Sequence, residues 1–366
     1  MTSTLFTPIN LRALTVPNRI TVSPMCQYSA FDGVPGDWHL VHLGQFAQSG
    51  PGLIFVEATG VEPNGRITQA CTGLYDDATE TAFARIVEFI KSVGESKVGI
   101  QLGHSGRKGS TVSPWEGGGP IEDGGAWVTE CASSVPYLPG WPEPREMDES
   151  DLSRVKSAFV QAAQRADRAG FDLIEVHVAH GYLLHQFLSP ITNLRRDAYG
   201  GSRENRMRFP LEVFEAVRAA YPADKPVLVR LSATDWIEGA WDLDQSIVFS
   251  RQLRELGCDM IDVTSGGLDQ RQEIVVGPGY QVHFAEEIRH KAGIPTMAVG
   301  QITEPIQAET IIATGQADMV AMARAMLWDP RWSWRAALAL GEEIDLPAPY
   351  LRCNPALRGK PFVTRK

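Results

Sequence analysis

Phe171-Asp172-Leu173-Ile174-Glu175-Val176-His177-Val178-Ala179-His180-Gly181-Tyr182 starts as a strand and ends as a chemical site. Leu173, Ile174, Val176 and Val178 form an apolar run too short and too β-branched for a surface helix. His177 and His180 can both donate a hydrogen bond to one oxygen. The phenol of Tyr182 can hand over a proton. Gly181 permits a backbone turn that a side chain would block. On the fragment alone, these are also three polar residues leaving a strand for solvent.

The units on either side repeat one theme. Toward the N-terminus, strand-like runs fall at 19–25, 53–58 (LIFVEA) and 97–102 (KVGIQL). Helical patterns at 38–48, 79–93 and 150–170 separate them, the last capped by Asp148 or Ser150. Toward the C-terminus, strands at 226–231, 259–263, 294–299 and 317–322 alternate with helices at 203–221, 244–257, 281–292, 304–314 and 330–340. No hairpin signal joins any strand to the next, so the units are parallel βα pairs. Eight of them predict an α/β fold, a closed (β/α)8 TIM barrel. The expected layout is one domain over 1–345 and a tail over 346–366. The alternative is an open doubly wound sheet, but its Gly-x-Gly-x-x-Gly turn is missing. Residues 103–145, after the third strand, are Gly-, Pro- and Trp-rich. That is too long for a plain connection and reads as a loop over the barrel mouth.

Composition narrows the class. The chain has 366 residues, 43% of them hydrophobic, enough for a large core. A formal charge of −10 and a pI of about 5.4 argue against a nucleic-acid or anionic-membrane partner. No apolar run approaches a membrane span, and residues 1–12 lack signal-peptide order. Five scattered cysteines without a CxxC pair encode neither a zinc knuckle nor an iron–sulfur set. A reducing, cytoplasmic location is expected.

In a barrel the chemistry gathers where strands end. The exits carry Cys26 and Tyr28, then Glu57-Ala58-Thr59, Gln101 and His104, and then His177, His180 and Tyr182. Arg230, Ser265-Gly266-Gly267, Gly300 and Arg324 follow on the later strands. Gly300 and Arg324 stand where barrels commonly bind phosphate. Arg230 suits a delocalised anion such as the edge of a reduced flavin, and Gln101 a pyrimidine-like ring edge. Each also has a plain reading. Arg230 could pair with a core carboxylate such as Glu57, Arg324 could cap the last turn, and Cys26 could be an inert buried thiol. His104 could be a structural hydrogen-bonder. His177-x-x-His180 could be half a metal site with His185 as third ligand, but it matches no zincin pattern, and no metal is expected. No serine-nucleophile elbow is present.

Taken together, Ser23-Pro24-Met25-Cys26-Gln27-Tyr28, Val56-Glu57-Ala58, Ile100-Gln101-Leu102, Gly106-Arg107-Lys108, the 177–182 stretch and Tyr199-Gly200-Gly201-Ser202-x-x-Asn205-Arg206 resemble the Old Yellow Enzyme family. Cys26 and Tyr28 point to its bacterial, thermophilic-like branch, which holds YqjM-type NADPH dehydrogenases and xenobiotic reductases. The resemblance implies non-covalent FMN, NADPH as reductant, and reduction of the activated C=C bond of enone or nitro substrates by ping-pong hydride transfer. By position Ser23, Pro24, Met25, Cys26, Ala58, Gln101, Arg230, Gly300, Ala323 and Arg324 would hold FMN. His177 and His180 would bind the substrate oxygen near Tyr28, and Tyr182 would donate the proton. A homodimer or homotetramer is implied, with Arg352 as the nearest candidate for an arginine reaching a neighbouring subunit's site. Two departures stand out: Ala323 replaces the family's usual glycine, and the 103–145 loop is long. Two alternatives use the same strand ends. One is a flavin barrel acting on RNA, disfavoured by the charge. The other is a flavin-free metal lyase or ligand-binding protein.

Overall fold

The strand-like runs become the staves of one closed barrel. The computed structural model describes residues 3–122, 124–343 and 346–355. The staves are β1 (Ile20–Val22), β2 (Leu53–Gly60), β3 (Lys97–Gly103) and β4 (Leu173–Val178). β5 (Val227–Ser232), β6 (Met260–Thr264), β7 (Thr296–Ala298) and β8 (Met319–Met322) complete the ring. They pair in parallel and in chain order, and β8 closes onto β1. A bulge between Val56 and Ala58 re-aims the end of β2.

Helices cover the outside. α1 (Asp37–Ala47), α2 (Asp77–Val93) and α3 (Glu149–Arg168) follow the first three staves. The carboxylates of Asp76 and Asp148 accept hydrogen bonds from first-turn N–H groups, so α2 and α3 start slightly before their apolar period does. Asp148, not Ser150, is the cap of α3. After β4 comes a short helix, α4 (Leu183–Leu188), followed by α5 (Arg203–Ala220), α6 (Leu243–Glu255), α7 (Val282–Ala292) and α8 (Pro305–Ala313). The helix expected over 330–340 is α10 (Trp332–Leu340), and the unexpected α9 (Arg324–Trp328) precedes it.

One apolar body lies between staves and helices, from Phe46 and Phe83 round to Phe249 and Trp332. A second, smaller one closes the strand-N-terminal end of the barrel. There Leu53, Phe55, Leu173, Leu228, Met260, Met297 and Met319 pack against Leu11 and Val16. Leu11 and Val16 come from an antiparallel hairpin, Ile9–Leu11 on Leu14–Val16, with Arg12 at φ 52 in its turn. The sequence reading has no hairpin here. Its apolar–polar–apolar signal spans only three residues on each side. With this end plugged, the other mouth is the one that can admit a ligand.

The 103–145 loop leaves that mouth through a turn at Gly106–Lys108 and anchors itself where Glu130–Cys131 pairs with Arg145–Glu146. Beneath it, Glu62, His104 and Glu130 bring possible ligand atoms within 4.8 Å of one another. Arg154 donates to both carboxylates there, so a guanidinium already supplies the positive charge. Of the expected 346–366 tail, residues 356–366 lie outside the described residues, as do 1–2, 123 and 344–345.

Candidate active site

The register of β3 to β6 lays a polar floor across the open mouth. Gln101 lies beside Glu175, and His177, Arg230 and Asp262 sit side by side on β4, β5 and β6. Gln101 donates to Glu175 at 2.7 Å. Arg230 faces Asp262 at 3.4 Å. This corrects the alternative reading of Arg230: its carboxylate is Asp262, whereas Glu57 is engaged by His39 at 3.0 Å. Two buried carboxylates share one guanidinium here. Burial and the neighbouring Asp262 charge hold Glu175 well above the usual carboxylate range, and burial raises Asp262. Glu175 Oε2, both Asp262 oxygens, Arg230 Nε and His177 Nδ1 lack any hydrogen-bond partner. Buried polar groups are seldom left so, and each costs about 1–3 kcal/mol when unsatisfied.

The turn after β4 carries the expected trio. His180 has φ 58 and Gly181 φ 72. A Cβ on Gly181 would lie 2.5 Å from the Gly267 carbonyl oxygen, so conformation and space both demand glycine. The turn is held from several sides. Ser232 Oγ accepts from the His180 N–H at 3.0 Å, and His185 Nδ1 accepts from the Gly181 N–H at 2.9 Å. His185 Nε2 in turn faces Asp235 at 2.9 Å, deep in the core. His185 is thus a brace of the turn rather than a third ligand beside His177 and His180.

His177 Nε2 and His180 Nδ1 face each other at 3.5 Å. His180 Nε2 lies 3.1 Å from the Thr264 hydroxyl. Burial first, and the Arg230 charge second, push both imidazoles well below their usual range, so both are neutral at pH 7. The Tyr182 ring stands 5.1 Å from that of His177, and burial keeps its phenol protonated far above the usual tyrosine range. Lys108 donates to the carbonyls of His180 at 2.8 Å and Gly267 at 2.9 Å, and its ammonium lies 4.9 Å from the Tyr182 ring centroid. Burial, then Arg107, lowers Lys108 to about 7.

The other expected residues stand at the strand exits around this floor. Ser23, Arg230, Gly300, Ala323 and Arg324 line one cleft of about 400 Å³ together with Thr264 and Gln281. Gly300 has φ 120, and a Cβ there would press on Gln281 at 3.1 Å. Ala323 has φ −106, so the backbone needs no glycine where the family usually has one. Ala58 borders the space above His177 and Tyr182. Met25 packs on the core, and the neighbouring Cys71, then burial, hold the Cys26 thiol well above its usual range. Tyr28, at φ 48, sets its ring edge-on to Trp115 of the long loop at 5.6 Å. The pair borders a chamber of about 870 Å³ that also touches Thr68 and Thr111. Pro24 stays in the β1 exit. His104 is held by Glu62 and by the Gly106 N–H, as its structural reading has it.

Arg352 is the exception. It lies in the turn Ala348–Cys353, whose Tyr350 packs on Arg331 and reaches Gln48, the residue that ends α1. That is the plugged end of the barrel, away from the mouth of its own chain. Sequence reasoning also leaves Glu175, Asp262, Thr264 and Cys71 without roles. Polar residues inside otherwise apolar strands are the signal for the first two.

The sequence profile of the NADH:flavin oxidoreductase / NADH oxidase family matches residues 4–343. A protein of Geobacillus thermodenitrificans named NADPH dehydrogenase is 43% identical over 358 residues, 96% of this chain and 99% of the relative. The NADPH dehydrogenase of Bacillus subtilis is 42% identical over 354 residues, again 96% and 99%. Among solved structures, morphinone reductase superposes with a TM-score of 0.77 at 30% identity, covering 95% of this chain and 92% of that one. No described helix is long and apolar enough to cross a membrane.

Proposed function

The chain belongs to the NADH:flavin oxidoreductase / NADH oxidase family, and on that footing we propose that it is an FMN-dependent NAD(P)H oxidoreductase reducing the activated C=C bond of α,β-unsaturated carbonyl or nitro compounds. FMN, held non-covalently, would supply the redox chemistry, ping-pong hydride transfer from NADPH to the activated C=C bond. The residues assigned to hold it are Ser23, Pro24, Met25, Cys26, Ala58, Gln101, Arg230, Gly300, Ala323 and Arg324. The Arg230 guanidinium, which faces Asp262 and lines the cleft, suits an anionic ring edge. Gln101 spends its amide N–H on Glu175 and keeps its carbonyl as an acceptor. Gly300 and Arg324 suit the phosphate.

The observation that carries the reading is the pair of facing imidazole nitrogens, 3.5 Å apart, beside a protonated Tyr182. In the tautomer that carries its hydrogen on Nδ1, His180 aims that hydrogen at the same point as His177 Nε2. One acceptor at about 2.9 Å from each nitrogen fits there. A carbonyl or nitro oxygen so held gains from both donors as negative charge grows on it. Tyr182 then protonates the α-carbon. Tyr28 borders the same space, and Arg352 would serve only a neighbouring chain's mouth, in a homodimer or homotetramer.

The test is an anaerobic titration of the purified protein. A flavin spectrum that bleaches with NADPH and recovers on adding cyclohexenone is expected. Bleaching without recovery would keep the cofactor and remove the oxygen clamp. A protein that binds no FMN would overturn the reading and favour a flavin-free barrel.

A further inference from the structure

A neutral imidazole has one ring N–H, so His180 serves the oxygen clamp only when that hydrogen sits on Nδ1, the nitrogen facing His177. Its other nitrogen, Nε2, lies 3.1 Å from the hydroxyl of Thr264, the last residue of β6. Thr264 is buried, and its single hydroxyl hydrogen has two acceptors in reach. One is His180 Nε2, and the other is Gln281 Oε1 at 3.4 Å. Gln281 Oε1 already accepts from the Ser265 hydroxyl at 2.5 Å. Two consecutive hydroxyls thus compete for one amide oxygen, and Ser265 holds it at the shorter distance. The Thr264 hydrogen is left to the imidazole, the nearer of its own two acceptors. Turning the Gln281 amide over does not change this. It would put Nε2, a donor, where Oε1 stands, and the imidazole would then be the acceptor left to Thr264.

We propose that Thr264 is a positioning residue for the oxygen clamp: its hydroxyl donates to His180 Nε2 and fixes the imidazole as the Nδ1–H tautomer, while Ser265 keeps the Gln281 amide from drawing that hydroxyl away. Thr264 acts through His180 and needs no contact with the substrate. In the opposite tautomer His180 Nε2–H would donate to the Thr264 oxygen. A bare Nδ1 would then meet the substrate oxygen lone pair to lone pair. Such a clamp has one donor where two are needed, and it loses most as negative charge grows on the oxygen. The partner of the far ring nitrogen is what commonly sets which histidine nitrogen carries the hydrogen. Burial, then the Arg230 charge, supports the same picture by keeping His180 neutral, with a single hydrogen to place. The consequence for catalysis rests on the proposed clamp, whereas the tautomer itself does not.

The experiment is long-range proton–nitrogen NMR of the FMN-loaded full-length protein, nitrogen-labelled in its eight histidines. The His180 signal is assigned by its loss in His180→Gln. In wild-type protein Nδ1 is expected to carry the hydrogen and Nε2 to be bare. Thr264→Val removes the hydroxyl and is expected to give the Nε2–H form or a mixture, and Thr264→Ser is expected to restore the wild-type pattern. Phenol affinity, read from the charge-transfer band with FMN still bound, should fall about 5–10-fold in Thr264→Val and return in Thr264→Ser. A wild-type His180 with its hydrogen on Nε2 overturns the proposal. So does an Nδ1–H pattern that Thr264→Val leaves unchanged. A tautomer that shifts in Thr264→Val at constant phenol affinity upholds the role of Thr264 and counts against the clamp. If the protein takes up no FMN, the flavin reading falls, and the same comparison on the protein as purified still decides the tautomer.

Discussion

At the strand-N-terminal end of the barrel, Leu53, Leu173, Leu228, Met260, Met297 and Met319 close on a hairpin carrying Leu11 and Val16. At the other end, Glu175, His177, Arg230 and Asp262 keep buried polar atoms without a hydrogen bond, although Arg230 and Asp262 pair in charge. The same eight strands run through both ends. Apolar surface can be finished by the chain's own side chains, because burial is non-directional. A buried donor or acceptor needs a partner in one direction, and the open mouth leaves those partners to a ligand. On the proposed function the plugged end carries stability and the open end the chemistry, so substitutions should separate the two.

The largest expected effect is at Tyr182. Tyr182→Phe should slow enone reduction by about 10²–10⁴-fold and leave flavin reduction by NADPH unchanged in stopped-flow experiments. Equal loss in both half-reactions would show that the phenol is no proton donor. Next, His177→Ala with His180→Ala should weaken phenol binding by about 10²-fold or more while FMN stays bound, read from the charge-transfer band. Unchanged phenol affinity would remove the oxygen clamp from the open end.

Leu53→Ala probes the plugged end. It should lower unfolding stability by about 2–5 kcal/mol and leave phenol affinity as it was. A loss of phenol affinity as large as that from the histidine pair would break the division between the ends. The smallest effect is a pH slope. Lys108 is lowered to about 7 in the fold, below the value of a free lysine. Between those values the unfolded chain binds more protons, so the Lys108 contribution to stability rises with pH from about 7 to about 10.4. Lys108→Met should flatten that rise in thermal melts taken across the window. An unchanged slope would show that Lys108 is not the group that titrates in this window.

Much of this architecture is legible in the amino-acid sequence. Alternation of apolar runs with helical periods is a local property, and it marks all eight staves and most of their exits. His177, His180, Gly181 and Tyr182 are legible because they share one turn. Arg230 is visible as a charge ending an apolar strand. Its partner is not: Glu57 and Asp262 are equally plausible carboxylates in sequence, and only the β5–β6 register puts Asp262 beside it. The hairpin plug escapes because each of its strands has only three residues.

By itself, then, the sequence determined the parallel βα units, the strand ends where polar side chains emerge, and the trio of the 177–182 turn. Each of these is written in neighbouring residues. Only the tertiary structure decided which end is plugged, which carboxylate faces Arg230, and that Lys108 grips the His180 carbonyl. Those contacts join residues far apart in the chain. Closing the barrel sets their spacing, and no local pattern encodes it.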